Sequence, residues 1–171
     1  GVVATPRVEQ VLLLAQRKIA FILGSVPSLD QLDFSFGPGA NFGVRGDTSV
    51  LDKVSSTLEC TYAFSSIAEE FLAEFPGWIR EDQPRDLNLV RGSELTFVPK
   101  NAKTHRPICI EPLLNGLYQK GVGAYIRERL SRHGVLLRDQ GVNQRLARDA
   151  FYRELSTVDF SSASDTIAYC L

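Results

Sequence analysis

The sequence predicts an α+β fold, mostly helical with short strands. Three observations carry that expectation. Apolar residues recur at helical spacing in several long stretches. Two short segments of β-favouring residues are each bounded by proline. Of the 171 residues, 44% are apolar, enough for one core and at most one domain plus part of another.

The elements follow in order. Thr5 and Pro6 suit the cap and first position of a helix, with Val8, Val11, Leu12, Ala15, Ile19 and Ile22 on one face and Gly24 as terminator. Residues 26–46 are rich in Gly, Pro, Asp and Ser and read as loop. A second helix is expected from Thr48 or Ser49, burying Leu51, Val54, Leu58, Tyr62, Ile67 and Phe71, and ending at Pro76 and Gly77. Residues 80–93 are polar and read as loop. Leu95, Phe97 and Val98 suggest a strand stopped by Pro99, and Ile108 to Ile110 a second one. Pro112 opens a helix with the stripe Leu113, Leu117, Val122, Ile126 and Leu130, and Gly134 lies past its end. A short helix is expected around 140–151, a strand at 155–160, and a further helix start at 165–171.

No apolar run approaches the ~20 residues that cross a bilayer. Gln16, Arg17 and Lys18 interrupt the most apolar stretch, so neither a membrane span nor a membrane partner is expected. Cys60, Cys109 and Cys170 are widely spaced and form no Cys-x-x-Cys pair, which predicts reduced thiols and no structural zinc. The chain starts at Gly1 and contains no Met. It is therefore expected to be a piece of a longer polypeptide.

The net charge of −1 conceals a strong asymmetry. Residues 1–99 carry 8 Lys/Arg against 13 Asp/Glu, whereas residues 100–154 carry 11 against 5. Residues 155–171 hold no base and two acids, Asp159 and Asp165. A basic block followed by an isolated acidic pair suits polyphosphate plus metal. A solvated helix face would account for the basic block equally well.

Three segments carry candidate chemistry. In Thr157-Val158-Asp159-Phe160, an apolar strand delivers a carboxylate near its end. Four small residues, Ser161 to Ser164, separate it from Asp165. A rigidly held carboxylate is half of a Mg²⁺ site, and small residues let a substrate approach the backbone. Asp165 and Ser161 serve equally well as helix caps. In the second segment, Lys100, Lys103 and Arg106 recur every third residue across a turn between two short strands. That spacing suits a triphosphate, and suits an ordinary exposed hairpin too. The third segment is Phe36-Gly37-Pro38-Gly39 through Gly46. It lacks the Lys-Ser/Thr ending of a phosphate-binding P-loop and reads as a structural loop. His105 and His133 have no partner at ligand spacing.

Together and in this order, these segments resemble the replicase β subunit of levivirus-type single-stranded RNA bacteriophages. The resemblance rests on 36–39, on 98–112, on Asn143-Gln144 and on 158–167, and it runs from about Gly37 to the end. It implies a right-hand RNA-directed RNA polymerase. Residues 1–154 would form fingers, with residues 155–171 starting the palm. Residues 158–167 would be motif A and residues 98–112 motif F. Asp159 would bind two Mg²⁺ ions, with Mn²⁺ as a substitute, and the Phe160 carbonyl would add a ligand. Asp165 would sense the ribose 2′-hydroxyl, and Lys100, Lys103 and Arg106 would neutralise the nucleotide triphosphate. Two ions about 4 Å apart would stabilise the attacking and leaving oxygens of nucleotidyl transfer.

The resemblance further implies RNA template and product, nucleoside triphosphates, host translation elongation factors and a small-subunit ribosomal protein as partners, in the bacterial cytoplasm. Motifs B and C of the family are not found before Leu171, so the chain alone is expected to be inactive. His105 stands where the family carries an Asp, which changes local charge among the cations. A non-catalytic RNA-binding module using the basic 100–154 block is the competing expectation; it gives Asp159 no role.

Overall fold

The structure is a computed structural model that describes residues 5–46, 48–79 and 85–158. It is mixed helix and strand, as expected from the sequence. Helix α1 spans Pro6–Leu23, a single 3-10 turn Leu29–Gln31, α2 Val50–Ser55, β1 Leu58–Thr61 and α3 Ser65–Ala73. Strands β2 Leu87–Val90, β3 Glu94–Pro99 and β4 His105–Ile110 follow, then α4 Leu113–Arg132 and α5 Gly141–Asp149. The chain forms two compact units, Gly1–Val135 and Leu136–Leu171.

The first unit holds the core. Leu58 and Cys60 of β1, Phe64, Ala68 and Phe71 around α3, and Leu113, Leu114 and Leu117 of α4 are all buried together. Phe34 stands edge-on to Phe71 with ring centres 5.0 Å apart, and Phe71 meets Phe75 and Tyr118 the same way. Such edge-to-face pairs add to the gain from burial itself. Asn115 of α4 clamps the end of β1: its Oδ1 accepts from the Thr61 N–H at 3.0 Å, and its Nδ2 donates to Thr61 Oγ1 at 3.0 Å.

Helix α1 matches its expected bounds. Gly24 ends it at φ +74°, where its N–H bonds the Ala20 carbonyl. The apolar face of α1 stays largely open, with Val11 60% and Ile19 55% exposed. The helix is tied to α4 at its C-terminus instead. Arg129 Nε donates to the Ile22 carbonyl at 2.9 Å, and Tyr125 Oη lies 3.0 Å from the Leu23 carbonyl. A cation at a helix C-terminus meets unsatisfied carbonyls and the negative end of the dipole.

The long second helix is not formed. A capping box of Ser49 and Asp52 starts α2, but the helix ends at Ser55. Leu58–Thr61 becomes a strand buried on both faces, and Leu51 and Tyr62, expected inside, are 74% and 63% exposed. The physical reason lies downstream. Strand β2, within a stretch expected to be loop, pairs parallel with β1 in the register Leu58 to Leu87 through Thr61 to Val90. A strand buried on both faces shows no alternation, so a helical period can be read through it.

Strands β3 and β4 form the expected antiparallel ribbon, with Val98 opposite Arg106 and Pro99 opposite His105. Helix α4 also matches, though its fully buried part is the first half, Leu113, Leu114, Leu117 and Gly121. Helix α5 falls within the expected 140–151. Residues 155–158 form no strand, and the remainder of that expected strand lies outside the described residues. Among the described residues, no helix is long and apolar enough to cross a membrane. Cys60 is buried and Cys109 exposed, and both are free.

Two glycines of α4 give opposed expectations. A Cβ at Gly121 would stand 2.5 Å from the Phe34 ring, whereas one at Gly123 would meet only the flexible end of Arg127. Gly121→Ala is expected to destabilise the chain by about 1–3 kcal/mol through overpacking. Gly123→Ala is expected to stabilise it by about 0.5–1 kcal/mol through helix propensity. Urea unfolding followed by circular dichroism measures both.

Candidate nucleic-acid interface

The glycine-rich loop is moored by a residue that sequence reading passed over. Lys53 sits on α2 with 1% of its surface exposed. Its ammonium donates to the Gly39 carbonyl at 2.7 Å and to the Gly37 carbonyl. Burial lowers its pKa from the ordinary lysine value. Thr48 Oγ1 adds a bond to the Pro38 carbonyl at 2.7 Å, and the Phe42 N–H bonds the Glu111 carbonyl at 3.0 Å. Phe36 stands edge-on to Trp78, 5.8 Å between ring centres. The loop is thus fixed to α2, to the end of β4 and to the aromatic core.

The ribbon tip carries the cations expected from sequence. The Lys100 N–H bonds the Thr104 carbonyl at 2.9 Å. Asn101 Oδ1 accepts from the N–H groups of Lys103 and Thr104, each at 2.9 Å. An Asn side chain folded onto the backbone two residues on is a standard turn former. Lys100, Lys103 and Arg106 are all exposed. Arg45, next to the glycine loop, pairs with Glu94 at the far end of the ribbon.

A cleft of about 320 Å³ lies between the glycine loop and α4. Gly116, Lys120, Gly123 and Arg127 follow one another at spacings of four, three and four, so they share one helix face. Gln119 and, from the loop, Asn41 join them in the lining. The other basic residues at this end of α4 are committed: Arg129 to the end of α1, Arg132 to Glu128. Neither Lys120 nor Arg127 pairs with an acid among the described residues. The interleaved Gly and Lys/Arg was the signal for this face, masked by the apolar stripe beside it.

Glu59 of β1 is buried beside Gly43, and its Oε2 has no hydrogen-bond partner among the described residues. In the second unit, a hollow is lined by Asn143, Leu146, Ala147, Ala150 and the chain from Leu155 to Val158. Asn143 belongs to the pair singled out from sequence. Asp159, Phe160 and Asp165 lie outside the described residues. Among the described residues, no group of three or more His, Cys, Asp or Glu stands ready to hold a metal ion.

These surfaces define an α+β module suited to polyanions, with exposed cations on a ribbon tip and in a cleft. Comparison with known proteins is more specific. The RNA replicase, beta-chain family matches residues 5–171, and the chain belongs to that family. It is 36% identical over 166 residues to the RNA-directed RNA polymerase beta chain of Enterobacteria phage GA, covering 92% of this chain and 31% of the relative. It is 33% identical over 172 residues to the RNA-directed RNA polymerase subunit beta of Escherichia virus Qbeta, covering 95% and 28%. Against the beta chain of Escherichia phage MS2, identity is 46% over 91 residues, covering 53% and 17%. The chain therefore spans under a third of the length of these relatives.

Lys53→Met removes the donor from both loop carbonyls. It is expected to cost roughly 1.5–3 kcal/mol, because two part-buried hydrogen bonds from a charged donor are lost. The pH dependence has a definite sign. The folded pKa of Lys53 is lowered, so between that value and the ordinary 10.5 the unfolded chain binds the extra proton. Stability from Lys53 is therefore lowest below its folded pKa and rises with pH through that window. Urea midpoints of the two chains from neutral pH to pH 10 are expected to diverge as pH rises.

Proposed function

We propose that this chain is the fingers region, over 1–154, and the first part of the palm, over 155–171, of a right-hand RNA-directed RNA polymerase that replicates a single-stranded RNA phage genome. The observation that carries the reading is the exposed cationic tip at 100–106 in a chain that matches the replicase family over 5–171. A triphosphate needs cations that are not already paired, and the ribbon presents three exposed ones with the turn backbone held by Asn101.

In this reading Lys100, Lys103 and Arg106 neutralise the triphosphate and its departing pyrophosphate. Asp159, with the Phe160 carbonyl, holds Mg²⁺ or Mn²⁺, and Asp165 reads the ribose 2′-hydroxyl. When bound, the two ions stabilise the attacking and leaving oxygens. The remaining metal carboxylates and the template contacts of motifs B and C would come from other parts of the complete enzyme. Its partners are RNA, nucleoside triphosphates and, by resemblance, host translation elongation factors and a small-subunit ribosomal protein. It would act in the cytoplasm of the bacterial host.

The exposed cations also suit a second reading, an RNA-binding module without catalysis. The two readings divide on Asp159. In a complete polymerase carrying this sequence, Asp159→Ala is expected to reduce nucleotide incorporation by roughly 10³-fold or more, while filter binding of template RNA persists. Retained incorporation would remove Asp159 from the mechanism. Asp165→Asn or Asp165→Ala is expected to relax discrimination against deoxyribonucleotides, measured as the ratio of kcat/KM values. An unchanged ratio would rule out the ribose-sensing role.

A further inference from the structure

We infer that the cleft between the glycine loop and α4 seats phosphodiesters of single-stranded RNA, with Lys120 and Arg127 as the phosphate-binding residues. The inference rests on the polymerase reading for the presence of RNA, and on the cleft for the place. Lys120 and Arg127 stand on one face of α4 and pair with no acid among the described residues. A third positive charge supports them from behind. Gly37 and Gly39 line the cleft, and their carbonyls bond the buried Lys53 ammonium. Those carbonyl dipoles are thereby neutralised, and the charge acts through protein rather than through water.

The lining also fits a strand better than a free nucleotide. Asn41 and Gln119 offer amide donors, and Gly116 and Gly123 keep the helix wall low. Phe36, half-buried at the cleft wall, supplies apolar surface for ribose or base. Among the described residues, no carboxylate lines the cleft. A triphosphate ordinarily arrives with Mg²⁺, which calls for one or two carboxylates, whereas the phosphodiesters of a strand need only cations and donors. Spaced about two helical turns apart, Lys120 and Arg127 suit successive phosphates rather than one.

The test is fluorescence anisotropy of the chain with labelled single-stranded RNA over a range of salt. Lys120→Ala with Arg127→Ala is expected to weaken binding tenfold or more. It should also lower the slope of log affinity against log salt by about 1.4, two phosphate contacts on a single strand. Both changes are surface ones, so circular dichroism and the urea midpoint should match the parent. Gly123→Leu, which fills the cleft without altering charge, is expected to weaken binding too. Arg138→Ala, in the other unit, should leave it unchanged.

Three outcomes overturn the inference. One is parental affinity in the Lys120/Arg127 variant while a Lys100/Lys103/Arg106 alanine variant loses binding. A second is no RNA binding by the parent chain. The third is displacement by inorganic triphosphate with no dependence on RNA length, which would assign the cleft to a free nucleotide. The polymerase reading stands or falls separately, on incorporation by the Asp159→Ala enzyme.

Discussion

The buried ammonium of Lys53 is the interaction on which the first unit's surface depends. A glycine-rich loop has large conformational entropy to lose, and hydrogen bonds to its carbonyls hold it in one conformation. One lysine satisfies two of them, at Gly37 and Gly39. Its own desolvation is costly, as its lowered pKa shows. The cost is met because α2 and the loop place both acceptors within reach at once. With the loop held, Asn41 is fixed near Gly116 of α4, and the cleft acquires a second wall.

The basic character of residues 100–154 divides into distinct tasks once side chains have neighbours. Arg129 closes the end of α1, and Arg132 pairs with Glu128 one turn away. Those charges stabilise helices, and an exposed pair such as the second contributes little. Lys100, Lys103 and Arg106 remain on the ribbon tip, and Lys120 and Arg127 in the cleft. A charge count over the segment cannot make that division. It emerges from which carbonyls and carboxylates each cation can reach.

Local signals were read well where the element answers to its own residues. Pro6 and Gly24 bounded α1, Pro112 placed the start of α4, and Pro99 closed β3. These residues act through φ restriction, a missing donor or a positive φ, all within a few positions. The expected helix across Leu58–Thr61 failed for the opposite reason. Its partner β2 lies beyond α3, and Leu58 and Cys60 are buried by α4 residues more than fifty positions away. Of the site, the cations at 100, 103 and 106 were legible because turn and spacing are local. Lys53 was not, since nothing in Val50–Ser55 marks its lysine as buried.

By itself, the sequence determined the mixed fold class, the ribbon with its cationic tip, the long α4 and membership of the replicase β-chain family. Each depends on residue order, either through short-range backbone constraints or through the ordered motifs that define a family. Only the tertiary structure decided that Leu58–Thr61 is a buried strand, that Lys53 holds the glycine loop, and which α4 cations stay available. Those outcomes depend on groups far apart in the chain meeting in space, where burial and hydrogen-bond satisfaction override local preference.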